Sequence, residues 1–90
     1  MPDATFELNG NIVSVFPNPV SDFLIIDFDQ TINSEINIEL ISATGQLILK
    51  NKINAGEKEF KINMDGYSSG IYFLKIIDQE KIVSDRLVKN

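Results

Sequence analysis

Apolar residues in this chain come in short runs of Ile, Val, Leu and Phe that recur about every ten residues, divided by clusters of Gly, Asn, Asp and Ser. Within the runs the period is two, as on a half-buried strand. Leu24, Ile26 and Phe28 fall on one face and Asp27 and Asp29 on the other; Ile36, Ile38 and Leu40 stand against Asn37 and Glu39; Phe60 and Ile62 stand against Glu59, Lys61 and Asn63. No segment of helical period competes. The pattern predicts strands over 12–16, 23–29, 35–42, 46–53, 57–63, 70–78 and 81–88. The run Ile71–Ile77 is apolar on both faces apart from Lys75, which predicts a central and deeply buried strand.

The breaks between runs carry turn chemistry. Ala43-Thr44-Gly45-Gln46 and Asn54-Ala55-Gly56-Glu57 each place Gly where a hairpin needs positive φ, so both predict hairpins, and Asp78-Gln79-Glu80 predicts a third tight reversal. Residues 64–70 are too long for a hairpin and too rich in turn formers for a strand, which predicts a crossover between two sheets. Pro17 and Pro19 remove two ladder donors and hold the residues before them extended, so Pro17-Asn18-Pro19 predicts a strand end or edge and a stiff, extended stretch. Residues 1–11 read as a flexible lead or junction, with Phe6 and Leu8 as a candidate short edge strand, and residues 12–90 as the domain. Seven such strands predict an all-β, antiparallel, immunoglobulin-like sandwich.

Composition narrows the chemistry. The chain has 90 residues and neither His, Cys nor Trp. A domain this short buries only about 60% of its unfolded surface, which leaves little room for an internal cleft. Without His or Cys, Ser-His-Asp, Cys-His and zinc chemistry are excluded, and no disulfide staples the fold. The net charge of −5 argues against a nucleic-acid partner. Charge is uneven: residues 1–45 hold seven acids and no base, whereas residues 46–90 hold all eight bases and six acids. Complementary charge between neighbouring strands of the two halves is the simpler explanation; a partner-facing basic tail around Lys81, Arg86 and Lys89 is the alternative. The longest apolar run, Phe23–Ile26, is four residues, far short of the ~20 that cross a bilayer as a helix. Met1–Thr5 has neither the basic nor the apolar region of a signal peptide.

Candidate sites are few. Asp27 and Asp29 share a strand face and present two carboxylates to a cation, yet paired acids on a solvated face are far commoner and no calcium-loop pattern accompanies them. Ser21, Ser42, Ser68, Ser69 and Ser84 lack an activating base unless Lys75 or Lys81 supplies one, and strand lysines are normally solvated. Tyr67, Tyr72 and the six Phe could build a sugar-stacking platform, but strand alternation places Phe28, Phe60, Tyr72 and Phe73 as core. No catalytic, metal-binding or cofactor-binding set emerges, and an enzyme ranks last.

Taken in order, four blocks resemble the type A C-terminal sorting domain of Bacteroidetes proteins exported by the type IX secretion system. They are the "PNP" block Val15–Ile26; the strand, Gly turn and strand of Ile38–Ile48; the crossover Ile62–Leu74, which ends in Ser-Gly-aliphatic-Tyr at Ser69–Tyr72; and the basic, aliphatic end Arg86-Leu87-Val88-Lys89. The similarity covers residues 15–90. Tyr67 and Ser68 stand where the family often has Leu and Pro.

The resemblance implies a folded export address. In such proteins an N-terminal cargo precedes the domain and crosses the inner membrane by its own signal. The outer-membrane translocon then recognises the domain, and a cell-surface sortase cuts ahead of it, with the cargo anchored or released. On this view the chain is the end of a longer protein, Met1 is an added start, and the residues of interest are Pro17, Asn18, Pro19, Gly45, Gly70, Tyr72, Arg86, Leu87, Val88 and Lys89. The prolines would hold the junction extended and apart from the sandwich, Gly45, Gly70 and Tyr72 would be structural, and Lys81–Lys89 would offer an edge for strand addition. An exposed edge also favours a weak homodimer. The rival expectation is a cell-surface adhesion or carbohydrate-binding module.

Overall fold

The computed structural model describes residues 4–90. It contains eight strands: β1 (Ala4–Leu8), β2 (Asn11–Phe16), β3 (Phe23–Phe28), β4 (Ile36–Ser42), β5 (Leu47–Ile53), β6 (Glu59–Asn63), β7 (Gly70–Asp78) and β8 (Lys81–Lys89). They form two four-stranded antiparallel sheets, ordered β1-β2-β3-β6 and β5-β4-β7-β8. Alternate residues of both sheets meet in one core, among them Val13, Val15, Leu24, Ile26 and Phe28 from the first and Ile38, Leu40, Leu74, Ile76 and Leu87 from the second. Because the side-chain period is two, this burial fixes the register of every strand.

Six of the seven expected strands lie within a residue of their observed bounds; β6 starts two residues later, at Glu59. The count is eight rather than seven, because the stretch read as a flexible lead holds β1. Its part within residues 4–11 pairs fully with β2, from Ala4 opposite Val15 to Leu8 opposite Asn11. Asn9 and Gly10, with φ of 50° and 82°, make the two-residue turn, a conformation that Asn and Gly tolerate best. Leu8 is fully buried, so burial as well as pairing holds this strand in place.

Two further expectations are corrected. Residues 54–58 do not close a hairpin, since β5 and β6 belong to different sheets. Gly56 N–H instead donates to Ile32 C=O and Ile32 N–H to Glu57 C=O, tying this turn to the β3–β4 connection. β7 is central, between β4 and β8, but only one face is deeply buried: Tyr72, Leu74 and Ile76 point into the core, whereas Ile71 and Ile77 are half-buried and Phe73 is exposed. The hairpin at residues 43–46, the crossover after β6 and the reversal at Gln79–Glu80 are where the sequence places them.

Candidate functional site

At one end of the molecule β2 delivers Pro17-Asn18-Pro19 onto the outer edge of β8. This corrects the expectation of a stretch held apart from the sandwich. Pro17 and Pro19 are exposed, while Asn18 and Val20 between and after them are buried. Both X–Pro peptide bonds are cis. Val20 forms a parallel bridge to Lys89, donating its N–H to Val88 C=O at 2.8 Å and accepting from Asn90 N–H at 2.9 Å. Two residues earlier the ladder would continue through residue 18. Here the side chain takes over: Asn18 Nδ2 donates to Arg86 C=O at 3.0 Å, and Asn18 Oδ1 accepts from Val88 N–H at 3.0 Å. Those are the two groups that a parallel neighbour in this register would engage. The final strand is therefore clasped along Arg86–Asn90, and the expectation of an open edge over all of Lys81–Lys89 does not hold for that half.

The same end gathers the other motif residues. On its inner edge β8 pairs with β7, with Gly70 opposite Lys89, Ile71 opposite Val88 and Tyr72 opposite Leu87. Tyr72 in turn lies opposite Ser42, the last residue of β4, beside the turn that carries Gly45. Gly45 N–H donates to Ser42 C=O at 2.9 Å. Gly70 has φ of 143°, a region that L side chains rarely adopt. Tyr72 is buried, its hydroxyl donates to Ser68 C=O at 2.7 Å, and its ring centroid lies 6.1 Å from that of Tyr67. One band thus runs from residues 17–20 across β8, β7 and β4 to the 43–46 turn. Pro17, Pro19, Gly45, Gly70 and Arg86 reach its surface, with Asn18, Tyr72, Leu87 and Lys89 buried beneath.

The basic residues do not form one tail. Strand alternation puts Arg86 on the outer face of its sheet and Lys81, Asp85 and Lys89 on the inner side. Lys89 is buried, with its Nζ donating to Asn90 C=O at 2.8 Å. Asp85 Oδ2 is buried without a hydrogen-bond partner, and desolvation raises the carboxyl above its ordinary value, opposed by a hydrogen bond from the Arg86 backbone.

The opposite end carries a group the sequence reading missed. Asp78 is buried at the end of β7 and accepts from Asn9 Nδ2 at 2.7 Å and from Ser34 Oγ at 3.3 Å, so it fastens the β1–β2 turn and the β3–β4 connection to the second sheet. A cavity of about 250 Å³ opens beside it, lined by Asn11, Gln30, Thr31 and Asn33 among others. Asn9-Gly10 was the available signal, as the dipeptide that marks a tight hairpin.

The other candidates are dispersed. Asp29 Oδ1 accepts from Ile12 N–H, and Asp27 lies opposite Ser14 and Glu59; no group of three metal-ligating side chains occurs among the described residues. Ser84 stands opposite Lys75 on the open outer face. Phe23 and Phe73 are exposed on different sheets, so they do not share a platform. Among the described residues no helix is long and apolar enough to cross a membrane.

No curated protein matches the chain. The family model described as the secretion system C-terminal sorting domain matches residues 14–90, which takes in the end of β2, all of β3 through β8 and every motif residue in the band. The chain belongs to this family of type IX secretion sorting domains, and export to the cell surface or the medium is what such a signal specifies.

Proposed function

We propose that the type IX translocon reads the band built from residues 17–20 and 86–90, and that a cell-surface sortase then cuts the precursor ahead of the sandwich. The observation that supports this reading is the clasp of Asn18 on Arg86 and Val88, which makes one surface from two motifs at opposite ends of the sequence. Pro17, Pro19 and Arg86 supply its exposed chemistry: two rigid apolar rings and a guanidinium suited to a planar acidic partner. Asn18, Leu87 and Lys89 position these groups without facing solvent. The domain acts as a substrate of the machinery, with its cargo N-terminal to it. Setting β1 aside, the order β2-β3-β6 against β5-β4-β7-β8 supports an immunoglobulin-like sandwich.

The test is to fuse the chain behind a signal peptide and a reporter in a bacterium that has the secretion system. The reporter is expected at the surface or in the medium, separated from the domain. A reporter retained in the periplasm, or displayed with the domain still attached and saturably binding a glycan, overturns the reading in favour of a carbohydrate-binding module. The amide-lined cavity beside Asp78 is where such a glycan would sit.

A further inference from the structure

The two sheets turn faces of opposite charge to solvent. On the β1-β2-β3-β6 sheet the register sets Glu7, Asp27 and Glu59 outward, with Lys61 as the base among them. Asp27 and Glu59 are direct cross-strand neighbours, a like-charge pairing that costs stability in an isolated sheet. On the β5-β4-β7-β8 sheet Lys50, Lys52, Lys75 and Arg86 point outward, with Glu39 between Lys50 and Lys75. Lys52–Glu35, at 3.5 Å, is the one ion pair among the described residues. The two outer faces therefore carry opposite net charge, with acids in excess on the first sheet and bases in excess on the second.

Each face also exposes large apolar side chains. Ile12 and Phe23 are 41% and 51% exposed on the acidic face, and Phe73 and Ile82 are 38% and 57% exposed on the basic one. The core lies between the sheets, so the two faces cannot meet within one molecule.

We propose that the acidic outer face of one copy docks on the basic outer face of a second copy. The contact is heterologous, so each pair leaves one face of each sign free and the assembly grows as an open stack. Four strands at about 4.8 Å spacing and about 20 Å long cover about 400 Å² per copy, or about 800 Å² in all. That is below the ~1,200 Å² of stable complexes, so the contact is weak and transient. Electrostatic attraction supplies the orientation, and salt weakens it. This inference does not depend on the sorting role.

The experiment is sedimentation velocity of the whole chain from about 20 µM to about 2 mM, in about 20 mM and about 500 mM salt. Mean mass is expected to rise with concentration at low salt, with association weakened at least about tenfold at high salt. The double variants Asp27→Lys/Glu59→Lys and Lys52→Glu/Arg86→Glu are each expected to remain monomeric. Mixed, they are expected to associate, because the intact basic face of the first variant meets the intact acidic face of the second. Where charge reversal unfolds either protein by circular dichroism, Asp27→Asn/Glu59→Gln and Lys52→Gln/Arg86→Gln replace it, each expected to weaken self-association about tenfold. A monomer at all concentrations, association that persists in both variants, or a mixture that stays monomeric overturns the proposal.

Discussion

Asn18 and Val88 are 70 positions apart in the sequence, yet the side-chain oxygen of one accepts the backbone N–H of the other at 3.0 Å. A continued ladder would meet Arg86 C=O and Val88 N–H with the backbone of residue 18, but the Asn18 side chain meets them instead. A primary amide carries both a donor and an acceptor and does the work of a missing strand residue. Asn18→Ala leaves Val88 N–H and Arg86 C=O without their partner and is expected to cost about 1–3 kcal/mol in urea denaturation. Asn18→Asp keeps the acceptor but turns a second oxygen toward Arg86 C=O, and is expected to be at least as destabilising. A variant as stable as the parent would show that the clasp contributes nothing to the fold.

Leu87 and Arg86 let structure be tested apart from the proposed recognition. Leu87 is fully buried and Arg86 is exposed on the other face of the same strand. Leu87→Ala is expected to lower stability by about 2–5 kcal/mol. Arg86→Ala is expected to change it by less than about 0.5 kcal/mol yet reduce surface display of a fused cargo. Removing residues 86–90 does both, leaving cargo in the periplasm. Normal display after that removal would refute recognition through this end.

Pro17 and Pro19 point to solvent. Replacing both with Ala is expected to alter export or cleavage while circular dichroism still reports a folded sheet protein. Unchanged processing would remove the prolines from the recognised surface.

Tyr72→Phe deletes only the hydrogen bond to Ser68 C=O and keeps the ring packed in the core. A loss of about 1 kcal/mol is expected.

Asp85 gives a pH dependence of known sign. Burial raises its folded carboxyl above the unfolded value of 3.8, so the native state binds more protons than the unfolded chain between the two values. Its unfavourable effect is absent below the unfolded value and sets in as pH rises through the folded one. Asp85→Asn is accordingly expected to raise Tm at neutral pH and to leave it unchanged near pH 3. The wild-type residue has a countervailing use, as an inward-facing charge on an edge strand discourages pairing with another chain.

Much of this architecture was legible in the sequence because burial writes itself as alternation. Leu24, Ile26 and Phe28, or Ile36, Ile38 and Leu40, have only one face on which they can be buried. Asn9-Gly10 carries a hairpin signal as well, but beside Pro2 and Asn11 it reads as part of a flexible lead, and only Phe6 and Leu8 hint at the strand before it. Gly56 misled in the other direction: a glycine turn looks alike whether the chain reverses within one sheet or passes to the other. Which of these occurs is decided by the distant partner Ile32, which no local pattern reports. The end-to-end clasp was hidden for the same reason, since the sequence shows two prolines and an amide but not the strand edge they meet.

That clasp also ties the proposed recognition to folding. The contacts from Asn18 to Arg86 and Val88 close loops of 68 and 70 residues, so they form only when nearly all of the intervening chain has been brought to order. A nascent, truncated or misfolded copy has the same amino acids in the same sequence and yet presents no such surface. Machinery that gripped this end would inspect conformation and identity in a single act, and would pass over chains that have not finished assembling.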